Sequence, residues 1–178
     1  MRLRILTMCL TASVMLCGVA MAQTEVIKAP IYLLNEQGLG KQIGTVAFCD
    51  TPQGLAVAVD VEGLTPGGHG MHIHEAGDCG AAAGPDGKMV PGLAAKGHFD
   101  PDKKGAHHGP AAEGHKGDLP LLTAGADGKA KATLTAPRLK LADVKGRSVI
   151  IHAGGDNYSD TPAALGGGGA RFACGVIK

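Results

Sequence analysis

GLAVAVDVEGL, residues 54–64, alternates without a break. Leu55, Val57, Val59 and Val61 fall on one face of an extended chain, and Ala56, Ala58, Asp60 and Glu62 on the other. This is the period of a strand with one face in a core and one in water. Thr65-Pro66-Gly67-Gly68 ends it with turn residues. Six more stretches read as strands: EVIKAPIYLLN (25–35), GKQIGTVAFCD (40–50), HGMHIHE (69–75), KAKATLTA (129–136), SVIIHA (148–153) and RFACGVI (171–177). Asp86-Gly87, Asp127-Gly128 and Pro162 punctuate the intervals, and helical periodicity is scarce. Short strands with turns between them predict an antiparallel all-β sandwich or barrel.

The chain opens MRLRILTMCLTASVMLCGVAMAQ. Arg2 and Arg4, an apolar run from Ile5 to Val19 and the small-residue site Ala20-Met21-Ala22 predict a secretory signal peptide over 1–22 and a mature domain over 23–178. Cys17-Gly18 raises lipid attachment, but bulky Leu16 stands where a small residue is required, so a lipoprotein anchor is not expected. The mature length suits one domain with a real core. Without Arg2 and Arg4, 15 basic residues face 16 acidic ones, and no basic run or basic amphipathic helix appears. A nucleic-acid partner and membrane insertion after cleavage are therefore not expected. Cys9 and Cys17 leave with the signal; Cys49, Cys79 and Cys174 remain. Export favours one disulfide and one leftover thiol. Cys49, among apolar neighbours in GTVAFCD, reads as a small buried hydrophobe, which leaves Cys79 and Cys174 as the expected pair.

Two connections, about 75–120 and 154–170, are longer than a compact β domain needs, so they read as functional loops. All eight histidines lie between 69 and 152. His72 and His74 share a strand face; His98 sits in GHFDP, His107 in AHHGP, His115 and Asp118 in GHKGDLP, and His152 ends VIIH. One histidine alone is ordinary. Six in such settings, with a carboxylate three residues after one of them, exceed the ligand set of a single zinc and point to two imidazole-binding metals.

HIHEAGDC, GHFDP, HHGPAAEGHKGDLP, VIIHAGGD and GGGGARFACGVI together resemble the copper/zinc superoxide dismutases, specifically the exported bacterial branch, from about Gly40 to the C-terminus. The resemblance implies a Greek-key β-sandwich closed into a flattened eight-stranded barrel with two long functional loops, and a periplasmic location. It implies disproportionation of superoxide to dioxygen and hydrogen peroxide by a redox-cycling copper ion, bridged through a histidine to a structural zinc. His72, His74, His98 and His152 match copper ligands, and His98, His107, His115 and Asp118 match zinc ligands, with His98 shared. His107 is chosen over its neighbour His108 because it stands three residues before Pro110. Asp156 matches a carboxylate that links a copper-bound and a zinc-bound histidine. Arg171 matches an arginine that guides the superoxide anion, and Cys79 and Cys174 match the intrasubunit disulfide. Each subunit would hold one copper and one zinc, as a monomer or homodimer.

Several alternatives stand beside these expectations. Asp156 could be a plain turn residue, and Arg171 a strand-edge arginine paired with Glu75. A non-catalytic copper or zinc carrier would need neither the shared histidine nor Arg171. A metallo-β-lactamase-like hydrolase would follow H-x-H with x-D-H, whereas Glu75-Ala76-Gly77 follow here. The loop over 154–170 contains no lysine, so steering cations would come from elsewhere: Lys88, Lys96 and Lys116 are the candidates.

Overall fold

The computed structural model describes residues 25–178; the expected signal peptide, with Cys9 and Cys17, lies outside the described residues. The strands are β1 (Val26–Asn35), β2 (Gly38–Thr51), β3 (Gly54–Val61), β4 (Gly67–His69), β5 (Met71–His74), β6 (Ala82–Ala83), β7 (Met89–Val90), β8 (Leu122–Ala124), β9 (Ala130–Ala136), β10 (Ser148–His152) and β11 (Arg171–Val176). One α-helical turn, α1 (Leu141–Val144), precedes β10. Seven strands form one antiparallel sheet in the order β5-β10-β11-β1-β2-β3-β9, and β4 pairs with β8. With β4 and β5 taken as one strand interrupted at Gly70, and the small β6–β7 ribbon set aside within the long loop, eight strands build the curled wall. The chain passes from β3 over to β4–β5 and from β9 over to β10, a Greek-key connectivity.

The alternation of 54–61 is realised as read. Leu55, Val57, Val59 and Val61 are buried, while Ala58 and Asp60 are exposed. They meet Val46 and Phe48 of β2, Ile31 of β1, Ile73 of β5 and Ile151 of β10 in one core, where each large side chain contributes about 1.5–3 kcal/mol on leaving water. The same alternation corrects the reading of Cys49: Val46 and Phe48 take the inward positions of β2, so the Cys49 thiol lies on the outer face, half-buried and free.

Two local features position the chemistry. Gly70 interrupts β4–β5 because its N–H donates to the Gly154 carbonyl rather than to a strand partner. In β10–β11 the register shifts between Ile151 and His152, and the bulge brings His152 opposite Arg171; such bulges re-aim side chains.

Candidate metal centre

All four residues of β5 are buried. Met71 and Ile73 enter the barrel core, so His72 and His74 point to the other side, beneath the long loops. One edge of β5 pairs with β10. The other is stitched to the first long loop: Phe99 N–H donates to the Ile73 carbonyl and Ile73 N–H to the Gly117 carbonyl, both at 2.8 Å, and isolated bridges pair His74 with His98 and His72 with Asp118. This backbone stitching brings residues 98 and 118 to 72 and 74, although more than twenty residues separate them in sequence.

His72, His74, His98, His107, His115, Asp118 and His152 are all buried. The His72 and His98 rings stack at 3.9 Å between centroids. His152 lies 4.9 Å from His72, His74 5.1 Å from His98, and His107 and His115 5.5 and 5.2 Å from His98. Two groups of four have ligand atoms mutually within 4.8 Å: His72, His74, His98 and His152, and His72, His98, His107 and Asp118. The first is the expected copper set. The second differs from the expected zinc set by holding His72 in place of His115, because the stacked His72 ring reaches both groups. His115 Nδ1 is 3.6 Å from Asp118 Oδ1 but lies outside that tight quartet.

The hydrogen bonds leave one atom of each side chain without a partner. His74 Nδ1 donates to the Lys96 carbonyl at 2.8 Å and His152 Nδ1 to the Gly169 carbonyl at 3.1 Å, so each ring's Nε2 lacks the N–H. His72 Nε2 and His107 Nε2 bond the two oxygens of Asp156, each at 2.8 Å. Within the cluster the partnerless buried atoms are His72 Nδ1, His74 Nε2, His98 Nε2, His107 Nδ1, His115 Nδ1, Asp118 Oδ2 and His152 Nε2. An orphaned buried polar atom costs about 1–3 kcal/mol. Seven in one cluster make sense only if something with empty orbitals completes them, and six imidazoles with one carboxylate suit borderline divalent metals. His107 Nδ1 and Asp118 Oδ2 are 3.0 Å apart, yet neither has a hydrogen-bond partner, as expected of two donors to one ion.

The electrostatics agree. Burial pushes the His72 imidazole down to about 3 and that of His152 to about 4, with the His98 charge adding to both. Burial also lowers His98, against the pull of Asp118. His107 moves the other way: burial opposes its charge, but Asp118 and Asp156 on either side outweigh it and raise it to about 9. Both carboxyls stay well below their usual range, because the neighbouring histidines more than offset burial. Most of the cluster is thus held in the deprotonated form that metals bind.

Arg171 does not pair with Glu75. Its guanidinium bonds the backbone carbonyls of Gly92 and Lys96. Cys79 and Cys174 form a disulfide with Cα atoms 5.8 Å apart, tying the first long loop to β11, three residues beyond Arg171. His108 is exposed, its Nδ1 2.7 Å from the Glu113 carbonyl, apart from the cluster.

The match with a family model described as copper/zinc superoxide dismutase covers residues 42–177. The chain belongs to the copper/zinc superoxide dismutase family. A superoxide dismutase of this family from Brucella abortus is 53% identical over 160 residues, covering 89% of this chain and 91% of that protein. The structure of copper/zinc superoxide dismutase from Brucella abortus superposes with a TM-score of 0.85 at 53% identity, over 86% of this chain and all of that one. The solution structure of the monomeric copper, zinc superoxide dismutase from Salmonella enterica gives 0.77 at 49%, with the same coverage.

Three residues of the centre escape sequence reasoning. His69 is buried, with Nδ1 2.7 Å from the His152 carbonyl and Nε2 2.8 Å from the Thr65 carbonyl, pinning the end of β10. Arg138 bonds the carbonyls of Pro110, Gly114 and His115, clamping the loop between His107 and His115. Gly166, at φ 72°, closes over the centre so tightly that a Cβ there would strike Asp156 Oδ1 and His107 Nε2. A lone His, Arg or Gly carries no periodic signal.

Proposed function

We propose that this chain removes superoxide by disproportionation, 2 O2•− + 2 H+ → O2 + H2O2, with copper held by His72, His74, His98 and His152 and zinc by His98, His107, His115 and Asp118. The seven partnerless donor atoms carry the reading. Copper supplies reversible one-electron chemistry when bound, and zinc a fixed charge with no redox chemistry of its own.

The protein's part is positioning. The Lys96 and Gly169 carbonyls fix which nitrogen His74 and His152 present. Asp156 does the same for His72 and His107 with one carboxylate, coupling the two sets. His98 has its Nδ1 toward Asp118, at 3.0 Å, and its Nε2 without a partner on the other side; burial disfavours its charged form, so the ring offers one nitrogen toward each proposed metal position. Arg171 carries a permanent charge and retains donor capacity beyond its two backbone bonds, suited to a small anion.

Residues 1–22 are proposed as the signal peptide and 23–178 as the mature domain, exported to the periplasm without a lipid anchor. The Cys79–Cys174 disulfide supports an oxidising compartment. One copy carries every proposed ligand, so a monomer holds a whole site and a homodimer would hold two.

Metal analysis and superoxide decay on the purified mature protein test this reading. One copper and one zinc per chain, with decay far faster than the spontaneous rate, are expected. Bound metal with spontaneous decay would make the protein a metal carrier instead.

A further inference from the structure

The second long loop carries two aspartates, and only Asp156 has a place in the centre so far. Asp160 is exposed and pairs with no cation among the described residues. Its carboxylate accepts two backbone N–H groups instead: Oδ2 takes that of His107 at 2.8 Å and Oδ1 that of Leu165 at 3.0 Å. Asp78, Asp86 and Asp127 each accept the N–H two residues ahead, as turn aspartates do. Asp160 reaches 53 residues back, to a proposed zinc ligand.

Both oxygens bear on His107. The second loop grips this residue twice, through Asp156 at the side-chain Nε2 and through Asp160 at the backbone N–H, each at 2.8 Å. The other proposed zinc ligands are held elsewhere. His98 and Asp118 pair with β5, while His115 donates its N–H to the Ala106 carbonyl and accepts from Arg138. The second oxygen of Asp160 serves the cover of the site. Leu165 lies at φ 54°, ψ 44°, left-handed backbone that is strained for a residue with a Cβ, and Asp160 holds it there by its N–H. Leu165 leads into Gly166, which lies over the Asp156–His107 hydrogen bond too closely for any Cβ. One carboxylate thus ties a ligand to the turn that covers it.

We propose that Asp160 is a positioning residue for the zinc set, fixing His107 through its backbone N–H and holding the left-handed turn at Leu165–Gly166 closed over the His107–Asp156 bond. The proposal rests on the dismutase reading with its zinc ligands. It makes the second loop, which supplies no zinc ligand, part of what retains the zinc.

Zinc affinity, measured by chelator competition on the copper-loaded mature protein, tests this in Asp160→Ala, Asp160→Asn and Leu165→Gly, the last with and without Asp160→Ala. Asp160→Ala should bind zinc about tenfold more weakly, at the lower end of the range for lost ligand-orienting contacts, while copper affinity holds. Asp160→Asn, with one acceptor oxygen where two are used, should lose less. Glycine adopts the left-handed turn without strain, so Asp160→Ala should cost less zinc affinity in the Leu165→Gly background than in the parent. With cobalt in place of zinc, the visible absorption bands should shift in Asp160→Ala, because His107 moves in the ligand field. Parent-level zinc affinity in Asp160→Ala, an unshifted cobalt spectrum, or an equal loss of copper and zinc would overturn the positioning role. Equal losses in the two Leu165 backgrounds would overturn the hold on the turn. A parent protein that binds no zinc would overturn the zinc set itself, and with it the reading beneath the proposal.

Discussion

His152 faces Arg171 across the β10–β11 ladder at the bulge that follows Ile151. A proposed copper ligand and the proposed anion-binding cation are thus set by one backbone irregularity, and Arg171 is held further by the Gly92 and Lys96 carbonyls. Arg171→Gln should slow superoxide consumption by about tenfold, the scale of one charge-assisted hydrogen bond. It should also flatten the salt dependence without loss of copper. Copper analysis alongside rates at several ionic strengths checks this; loss of copper would place Arg171 among the supports of the metal instead.

Asp156 joins the two histidine sets, so its replacement should be felt in both. Asp156→Asn keeps the shape but offers one acceptor where two are used. Metal affinity should fall by about 10- to 100-fold, as for the loss of other ligand-orienting carboxylates, read by competition with a chelator.

Arg138 reaches the zinc loop from the segment after β9 and donates to three of its carbonyls. Arg138→Lys can replace few of those bonds. Zinc affinity should fall while copper affinity holds. Melting the protein with and without zinc separates this from general damage: the zinc-dependent rise should shrink, because stabilisation follows affinity. An equal drop in both forms would make Arg138 a structural clamp only.

Removing the disulfide through Cys79→Ser and Cys174→Ser should cost about 4–5 kcal/mol in the chain-entropy account of a loop closed over 95 residues. The rate per copper should fall as well, because the same loop supplies both carbonyls that hold Arg171. Calorimetry and copper-normalised rates report the two effects separately.

The metal-free protein should be most stable near pH 6.5. His72 and His152, held at about 3 and about 4 by burial, take up protons later than in the unfolded chain, where imidazole titrates near 6.5. The unfolded chain binds more protons in that window, so stability falls with acid, by an amount on the order of a few kcal/mol. His107, raised to about 9 by its flanking carboxylates against burial, does the reverse: its stabilisation is complete below about 6.5 and is lost as pH rises through about 9. Metal loading should remove the alkaline limb, because ligands bind deprotonated. Melting temperatures across pH with and without metals test both signs.

The barrel was legible because alternation reports burial directly, and Leu55–Val61 shows it residue by residue. What escaped was short or non-periodic. β8 spans three residues, β6 and β7 two each, and α1 a single turn, all below the length at which a period shows. Cys49 lies on the outer face rather than in the core because neighbours in sequence stand on opposite faces of a strand. The ligand types were legible from motif and resemblance, whereas the convergence of residues 98 and 118 on β5 depends on long-range backbone pairing. The reach of Arg138 is a property of three dimensions only.

The shared role of His98 is the centre of this account, and cobalt substitution at the zinc position tests it most directly. An imidazolate common to both metals couples their unpaired electrons, so the copper electron paramagnetic resonance signal should collapse when cobalt replaces zinc. It should return in His98→Ala wherever that variant still binds both ions. A copper signal that ignores the cobalt would contradict the bridge.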